Sequence, residues 1–219
     1  MPRPRFFNLA PSARSRLLRI ATKHFARRGL EGASLNEILA ESGISKGAYY
    51  YYFEDKDDLL ATVLESAVDT LLGRLPMPAF DALAPAEFWP TVERFVANWA
   101  AAMASPRELF QVAVQFTAAQ RQSARFAPIL AKIHAIYRTL IEPGQRLGCV
   151  RRDLPADALV RLLEANDAAL DSLFLSLHAH VTRDSLRQHT ALVFDTFQRL
   201  LLAATPTKRR SPSKSRRRR

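Results

Sequence analysis

The sequence is poor in what holds small secreted or strand-rich domains together. A single cysteine, Cys149, excludes an internal disulfide. Seven glycines in 219 residues, few β-branched runs and abundant Ala, Leu, Arg and Glu favour helix over strand almost throughout. No charge-free run is long enough to span a membrane, and the basic opening MPRPRFFNLAPSARS lacks the apolar core of a signal peptide. Gly-rich phosphate loops, nucleophile elbows and paired-carboxylate signatures are also missing, so neither enzyme activity nor a cofactor is expected. Together these absences predict an all-α protein in a reducing, cytoplasmic setting with no membrane partner.

What is present is enough apolar residue, 48% of the chain, for a real core in one or two compact units. The formal charge is +11, but Lys208, Arg209, Arg210, Lys214 and Arg216 to Arg219 supply eight of those charges with no acid among them. Without them residues 1–204 carry only +3. Residues 205–219 read as a disordered basic tail, either merely solvated or a sequence-blind electrostatic grip on nucleic acid.

Helical punctuation is clear in the first third. After a flexible Pro-rich arm (1–12), Ser12 can cap a helix with Leu17, Ile20, Ala21 and Phe25 at helical spacing, ended by Gly29. Ser34 to Glu37 reads as a capping box, Gly43 supplies a left-handed turn, and Ser45 caps a third helix at once. A helix, a tight glycine turn and a second capped helix make a helix-turn-helix, whose second helix enters the DNA major groove.

That third helix carries four tyrosines in a row, in GISKGAYYYYFEDKDDL. At about 100° per residue, Tyr49, Tyr52 and Phe53 fall on one side, and Gly47, Tyr50 and Tyr51 on the other. An aromatic core helix needs one such face, whereas this run covers the circumference. Exposed phenols beside Ser45 and Lys46 present donors over an apolar body, suited to phosphates and thymine methyls. Asp55 then caps a fourth helix whose first turn holds Asp57 and Asp58, as the macrodipole prefers. Lys56 is a cation in that same turn, which points to a phosphate partner or to a solvated lysine.

The segment SLNEILAESGISKGAYYYYFEDKDDLLATVLE resembles the DNA-binding signature of the TetR family of bacterial transcriptional regulators. The resemblance covers residues 13 to about 72, as an ordered string of matches. It implies that Ser45, Lys46, Gly47, Ala48, Tyr50 and Tyr51 sit at DNA, Ser34 near the backbone and Lys56 on a phosphate. Tyr49 stands where the family has an aliphatic residue, and Glu54 and Asp55 where it has proline or a basic residue. The implied protein is a homodimeric repressor, released from a palindromic operator by a small molecule. A constitutive DNA-binding protein that uses the Arg-rich tail is the alternative.

Residues 73–204 are similar to the family only in architecture, as a ligand-binding and dimerisation domain. Proline and glycine predict helices over 86–104, 107–120, 126–142, 156–179 and 183–204, with Pro143-Gly144 breaking the third. Trp89, Trp99, Phe110, Phe116, His134 and Tyr137 either line a ligand pocket or are core, and Asp167 belongs to the same candidate pocket. Glu164, Asp167 and Asp171 share a stripe that either selects a cationic ligand or is a solvated face pairing with Arg161 and Arg199. Leu170, Phe174, Leu177, Val193, Phe197 and Leu200, on two strongly apolar helices, are the candidate dimer interface. His178 and His180 point about 200° apart on a helix, so no metal site is expected. Cys149, flanked by Arg151 and Arg152, is either a thiol of lowered pKa or an inert one.

Overall fold

The computed structural model describes residues 2–103, 107–114, 123–178 and 182–202. Over these residues the chain forms nine α-helices: α1 Pro11–Gly32, α2 Leu35–Ser42, α3 Lys46–Tyr52, α4 Lys56–Arg74, α5 Pro85–Met103, α6 Arg107–Val114, α7 Ala127–Leu147, α8 Ala156–Leu177 and α9 Arg183–Leu201. Short 3-10 turns lie at Pro4–Asn8, Phe80–Ala82 and Ala124–Phe126. Among the described residues no helix is long and apolar enough to cross a membrane. The basic tail lies outside them.

Helix α1 opens on Pro11, where a missing N–H costs nothing because the first turn has no acceptor for it. Ala10, not Ser12, holds the cap position, so the expected Ser12 cap is replaced by this proline start. Gly29 breaks the helical path at φ 67°, and one more turn carries the chain to Gly32. The Ser34 hydroxyl accepts the Glu37 N–H at 3.4 Å, but the Glu37 carboxylate pairs with Arg28 at 2.8 Å. Ser45 accepts the Ala48 N–H at 3.2 Å and Asp55 the Asp58 N–H at 3.0 Å, so three successive helices each start on a side-chain oxygen. Gly43, at φ 70°, makes the turn between α2 and α3 that a β-carbon would strain.

The first core joins Leu17, Ile20 and Phe25 of α1 to Ile38 of α2, Tyr49 of α3, Phe53 and Leu59. It also takes in Phe6, so the arm expected to be flexible is docked. Phe6 is 1% exposed, its ring 4.9 Å from that of Phe53. The Arg3 N–H donates to the Tyr52 carbonyl at 2.8 Å. Burying one large ring on a preformed aromatic patch contributes about 2 kcal/mol and, with the backbone bond to Tyr52, anchors an arm that composition alone leaves free.

Packing does not stop at the end of α4. Val112 of α6, Phe126, and Ile129 and Leu130 of α7 complete the first core. The other end of α7, at Leu140 and Ile141, enters a second core with Phe80, Phe88, Val92, Leu159, Leu163, Val193 and Phe197. Helix α7 therefore runs from one core to the other. It also runs through Pro143-Gly144, against the expected break, and ends at Gly148 with φ 76°. Both residues of the pair are buried, and a β-carbon on Gly144 would collide with Val150 and Phe88. Close packing of this last turn offsets the cost of an interior proline, about 3 kcal/mol.

Candidate nucleic-acid interface and ligand cavity

Helical phase divides the tyrosine run as the sequence predicts. Tyr49 and Phe53 are fully buried and Tyr52 partly so, whereas Tyr50 and Tyr51 are 45% and 47% exposed. Ser45, Lys46 and Gly47 are exposed beside them and Ala48 is half-buried, while Ser34 is partly covered at the start of α2. A β-carbon on Gly47 would meet nothing within 4 Å, so no neighbour in the chain requires a glycine there.

Two features of this face escaped sequence reasoning. The Arg5 guanidinium lies 4.6 Å from the centre of the Tyr51 ring, a cation–π distance, and Arg3 donates to the Tyr50 carbonyl at 3.0 Å. Their signal was the basic arm itself, read as flexible. Lys56 is the opposite case. Its Nζ donates to the carbonyls of Leu30, Glu31 and Ala33 at 2.8, 3.1 and 3.0 Å. The expected phosphate ligand instead closes the end of α1, where unsatisfied carbonyls and the negative end of the helix attract a cation. Lys56→Met is expected to cost about 1.5–3 kcal/mol of stability while leaving the salt dependence of operator binding unchanged. A fall of about one in the log–log salt slope would restore the phosphate role.

Behind α3, the Tyr49 hydroxyl donates to the Asp55 carbonyl at 2.6 Å. Burial, and then the nearby Asp55 charge, push this phenol well above the ordinary tyrosine range. Arg125, in the turn that leads into α7, faces the same junction. Its guanidinium reaches Asp55 at 2.5 Å, Asp58 at 3.2 Å, Glu54 at 3.7 Å and Asp57 at 3.9 Å. Burial works against the Asp55 carboxylate, but the Arg125 hydrogen bond and backbone N–H groups outweigh it and hold the carboxyl below its usual range. Lower down, Lys132 of α7 pairs with Glu65 and Asp69 of α4 at 3.0 and 2.6 Å. The acids at Glu54 and Asp55 thus have an intramolecular cation, which sequence reading missed because Arg125 is 70 residues away from Asp55.

Between the two cores lies a cavity of about 210 Å³, walled by α4, α5, α6, α7, α8 and α9. Trp99, Tyr137 and Asp167, three of the candidate pocket residues, line it, and Asp171 joins them. His134 does not line it and instead pairs with Glu164 at 2.8 Å. Trp89 packs against the second core. The Phe110 side chain and Phe116 lie outside the described residues. The acidic stripe is therefore split: Glu164 is taken by His134, Asp171 holds His189 at 3.1 Å, and Asp167 accepts the Tyr137 hydroxyl at 3.0 Å. Arg199 pairs with Asp195 of its own helix at 2.8 Å, not with the stripe.

This arrangement is a capped helix-turn-helix braced against a helical body with an internal cavity. Residues 17–63 match the model of the tetR family of bacterial regulatory proteins. Over these residues, its helix-turn-helix, the chain matches that family. Among TetR-family relatives, it is 24% identical over 153 residues to the transcriptional repressor KstR2 of Rhodococcus jostii, covering 68% of this chain and 74% of the repressor. It is 28% identical over 156 residues to the transcriptional repressor SCO4008 of Streptomyces coelicolor, covering 70% and 76%. Its fold is similar to the regulator FadR of Bacillus subtilis, solved with stearoyl-CoA, at a TM-score of 0.65 and 14% identity over 84% of this chain and 96% of that one. In its helix-turn-helix sequence and in its overall fold the chain is thus similar to transcriptional regulators of the TetR type.

Three of the residues expected at a TetR-type dimer interface are covered within the chain itself. Phe174, Val193 and Phe197 are 4%, 9% and 6% exposed, the last two lining the cavity. Leu170 and Leu200 are partly buried, and Leu177, of that set, is exposed. The exposed apolar residues are instead Leu162, Leu173 and Leu177 of α8 and Leu192 of α9. Between them on α8, the buried Nδ2 of Asn166 has no hydrogen-bond partner among the described residues. Both helices are apolar on more than one side, so composition alone does not say which side faces inward.

Cys149 donates to the Pro85 carbonyl at 3.4 Å, and burial raises its pKa. Arg151 pairs with Asp153 at 2.5 Å and Arg152 donates to the carbonyls of Gln145 and Arg146, so neither activates the thiol. Among the described residues, no group of His, Cys, Asp and Glu is placed to hold a metal, and His180 lies outside them.

Proposed function

We propose that the protein is a ligand-responsive repressor: a homodimer that binds a palindromic operator through α3 and releases it when a small molecule fills the cavity. The observation that carries this reading is that α4 serves both sites. Leu64 and Val68 of α4 form part of the cavity wall, while Asp55, capping the same helix, receives the Tyr49 hydroxyl on its carbonyl and Arg125 on its carboxylate. A ligand that separates α4 from α7 moves α3, and the population shifts toward states whose two recognition helices no longer match successive major grooves. A tenfold to hundredfold release needs about 1.4 to 2.8 kcal/mol of differential affinity. The Bacillus FadR solved with stearoyl-CoA supports a ligand cavity in this fold.

The DNA face in this reading is Ser45, Lys46, Gly47, Ala48, Tyr50 and Tyr51, with Ser34 at the backbone and Arg5 added from the arm. Gly47 supports it: in a helix glycine costs up to about 1 kcal/mol against alanine, and nothing in the chain occupies the space before it. Gly47→Ala should therefore leave the melting temperature unchanged or raised and weaken operator binding at least tenfold. Tyr50→Phe and Tyr51→Phe should each weaken it by about 1 kcal/mol with the fold intact. Dimerisation runs through the exposed stripe Leu162, Leu173, Leu177 and Leu192, which an isologous four-helix contact would cover.

The deciding experiment is selection of genomic fragments by the purified full chain. Recovery of one palindromic site is the expected result, and recovery of random fragments alone would sink the operator-specific reading. Removing residues 206–219 should lower only the salt dependence; abolished binding would favour the constitutive, tail-driven alternative.

A further inference from the structure

The charge inside the cavity has one sign. Its walls are aliphatic and aromatic apart from Tyr137, Asp167 and Asp171, and no Lys, Arg or His among the described residues lines it. Asp167 and Asp171 are four residues apart on α8 and so share one face, one turn apart. Each is oriented by a hydrogen bond from a neighbouring helix. Asp167 accepts the Tyr137 hydroxyl of α7 at 3.0 Å. Asp171 takes the His189 imidazole of α9 at 3.1 Å, and that ring lies against Phe174 at 4.6 Å. The basic residues of α7 are committed elsewhere, Lys132 to Glu65 and Asp69, His134 to Glu164, Arg138 to Asp157 and Arg146 to Asp81.

We propose that the cavity takes a small apolar amine, its hydrocarbon body against Phe95, Trp99 and Ile133 and its protonated nitrogen between Asp167 and Asp171. This rests on the reading of the cavity as the effector site and adds the chemical class of the effector. Besides the Tyr137 hydroxyl and the His189 imidazole, carboxylates facing an apolar cavity can accept further donors, and a cation beside them is favoured by their charge. An ammonium brings both a charge and three donors. A carboxylate or phosphate head would meet like charge at close range, where the low dielectric strengthens repulsion. The ligand class is therefore opposite in charge to the acyl thioester found in the Bacillus FadR structure, a difference that shared fold does not forbid because the head group is chosen by a few polar side chains.

The test is calorimetric titration of the full-length protein, in phosphate buffer at neutral pH, with three probes of one chain length: n-octylamine, octan-1-ol and octanoate. Octylamine is expected to bind at least tenfold more tightly than octanol, about 1.4 kcal/mol, and octanoate at least a hundredfold more weakly than the amine. Asp167→Asn and Asp171→Asn, measured separately, should each weaken amine binding about tenfold and leave octanol binding within twofold. Octanoate or octanol binding as tightly as the amine, no amine binding at millimolar concentration, or variants that bind the amine as wild type does would each overturn the proposal. The wild-type series does not depend on how the variants fold. No operator is needed either, so amine binding that fails to release DNA would refute the release mechanism while supporting this ligand class.

Discussion

Tyr49→Ala is expected to cost about 3–5 kcal/mol of stability and to remove DNA binding through loss of the fold, read as a shift of the urea midpoint followed by far-ultraviolet circular dichroism. The ring is wholly buried, stacks on Phe53 at 5.2 Å, and meets Tyr50 edge-on at 5.3 Å. Its removal leaves a cavity under the recognition helix that α1 and α2, packed into the same core, cannot close. Tyr49→Phe isolates the hydroxyl: only the bond to the Asp55 carbonyl is lost, for about 0.5–1.5 kcal/mol. The two variants also differ from wild type in alkali. Because burial and the neighbouring carboxylates raise the folded pKa of this phenol, its stabilising effect is complete below the unfolded value near 10 and is lost as pH rises above it. Wild type should therefore lose stability above about pH 10 more steeply than Tyr49→Phe. Parallel curves would show that another group sets the alkaline limb.

Arg125→Ala should destabilise the protein by about 2–4 kcal/mol at neutral pH. Asp58 is 3% exposed, so loss of its cation leaves a nearly buried carboxylate with a weaker set of partners; the more exposed Glu54 and Asp57 contribute less. Arg125→Lys keeps the charge but loses the fork that reaches several oxygens at once, and should recover about half of the loss. The acid limb gives the sign. Asp55 titrates below its usual range in the fold, so its contribution is present above the unfolded value near 3.9 and disappears as pH falls through the folded one. Asp57 is pushed up, by burial first and then by Asp55, and works in the opposite sense. The gap between wild type and Arg125→Ala should thus narrow below about pH 4, which urea titrations at pH 7 and pH 3.5 measure. A gap that stays constant would mean that Arg125 acts by packing alone. Since the guanidinium joins α7 to the start of α4, the variant is also expected to weaken operator binding in the absence of any ligand.

The recognition helix was the most legible part of the chain because its information is local. The Ser45 and Asp55 caps, the Gly43 turn and the inward and outward tyrosines follow from spacing along a few residues and from helical phase. The ends of α8 and α9 were nearly as readable, falling at Leu177 and Leu201. Lys56 was misread for the reason that the others were not. Its partners are carbonyls at and just beyond the end of α1, 23 to 26 residues earlier, and a long flexible side chain has no periodicity that announces its direction.

By itself, the sequence determined an all-helical chain, the helix-turn-helix and its exposed face, since caps, turns and periodic apolar faces act over one or two helical turns. Only the tertiary structure decided that the arm docks, that α7 passes through Pro143-Gly144, that Arg125 closes on the acids of α4, and that Asp167 and Asp171, but not Glu164, enter the cavity. Those outcomes depend on which distant surface each residue meets. Burial and ion pairing across dozens of residues can outweigh a local preference worth a few kcal/mol.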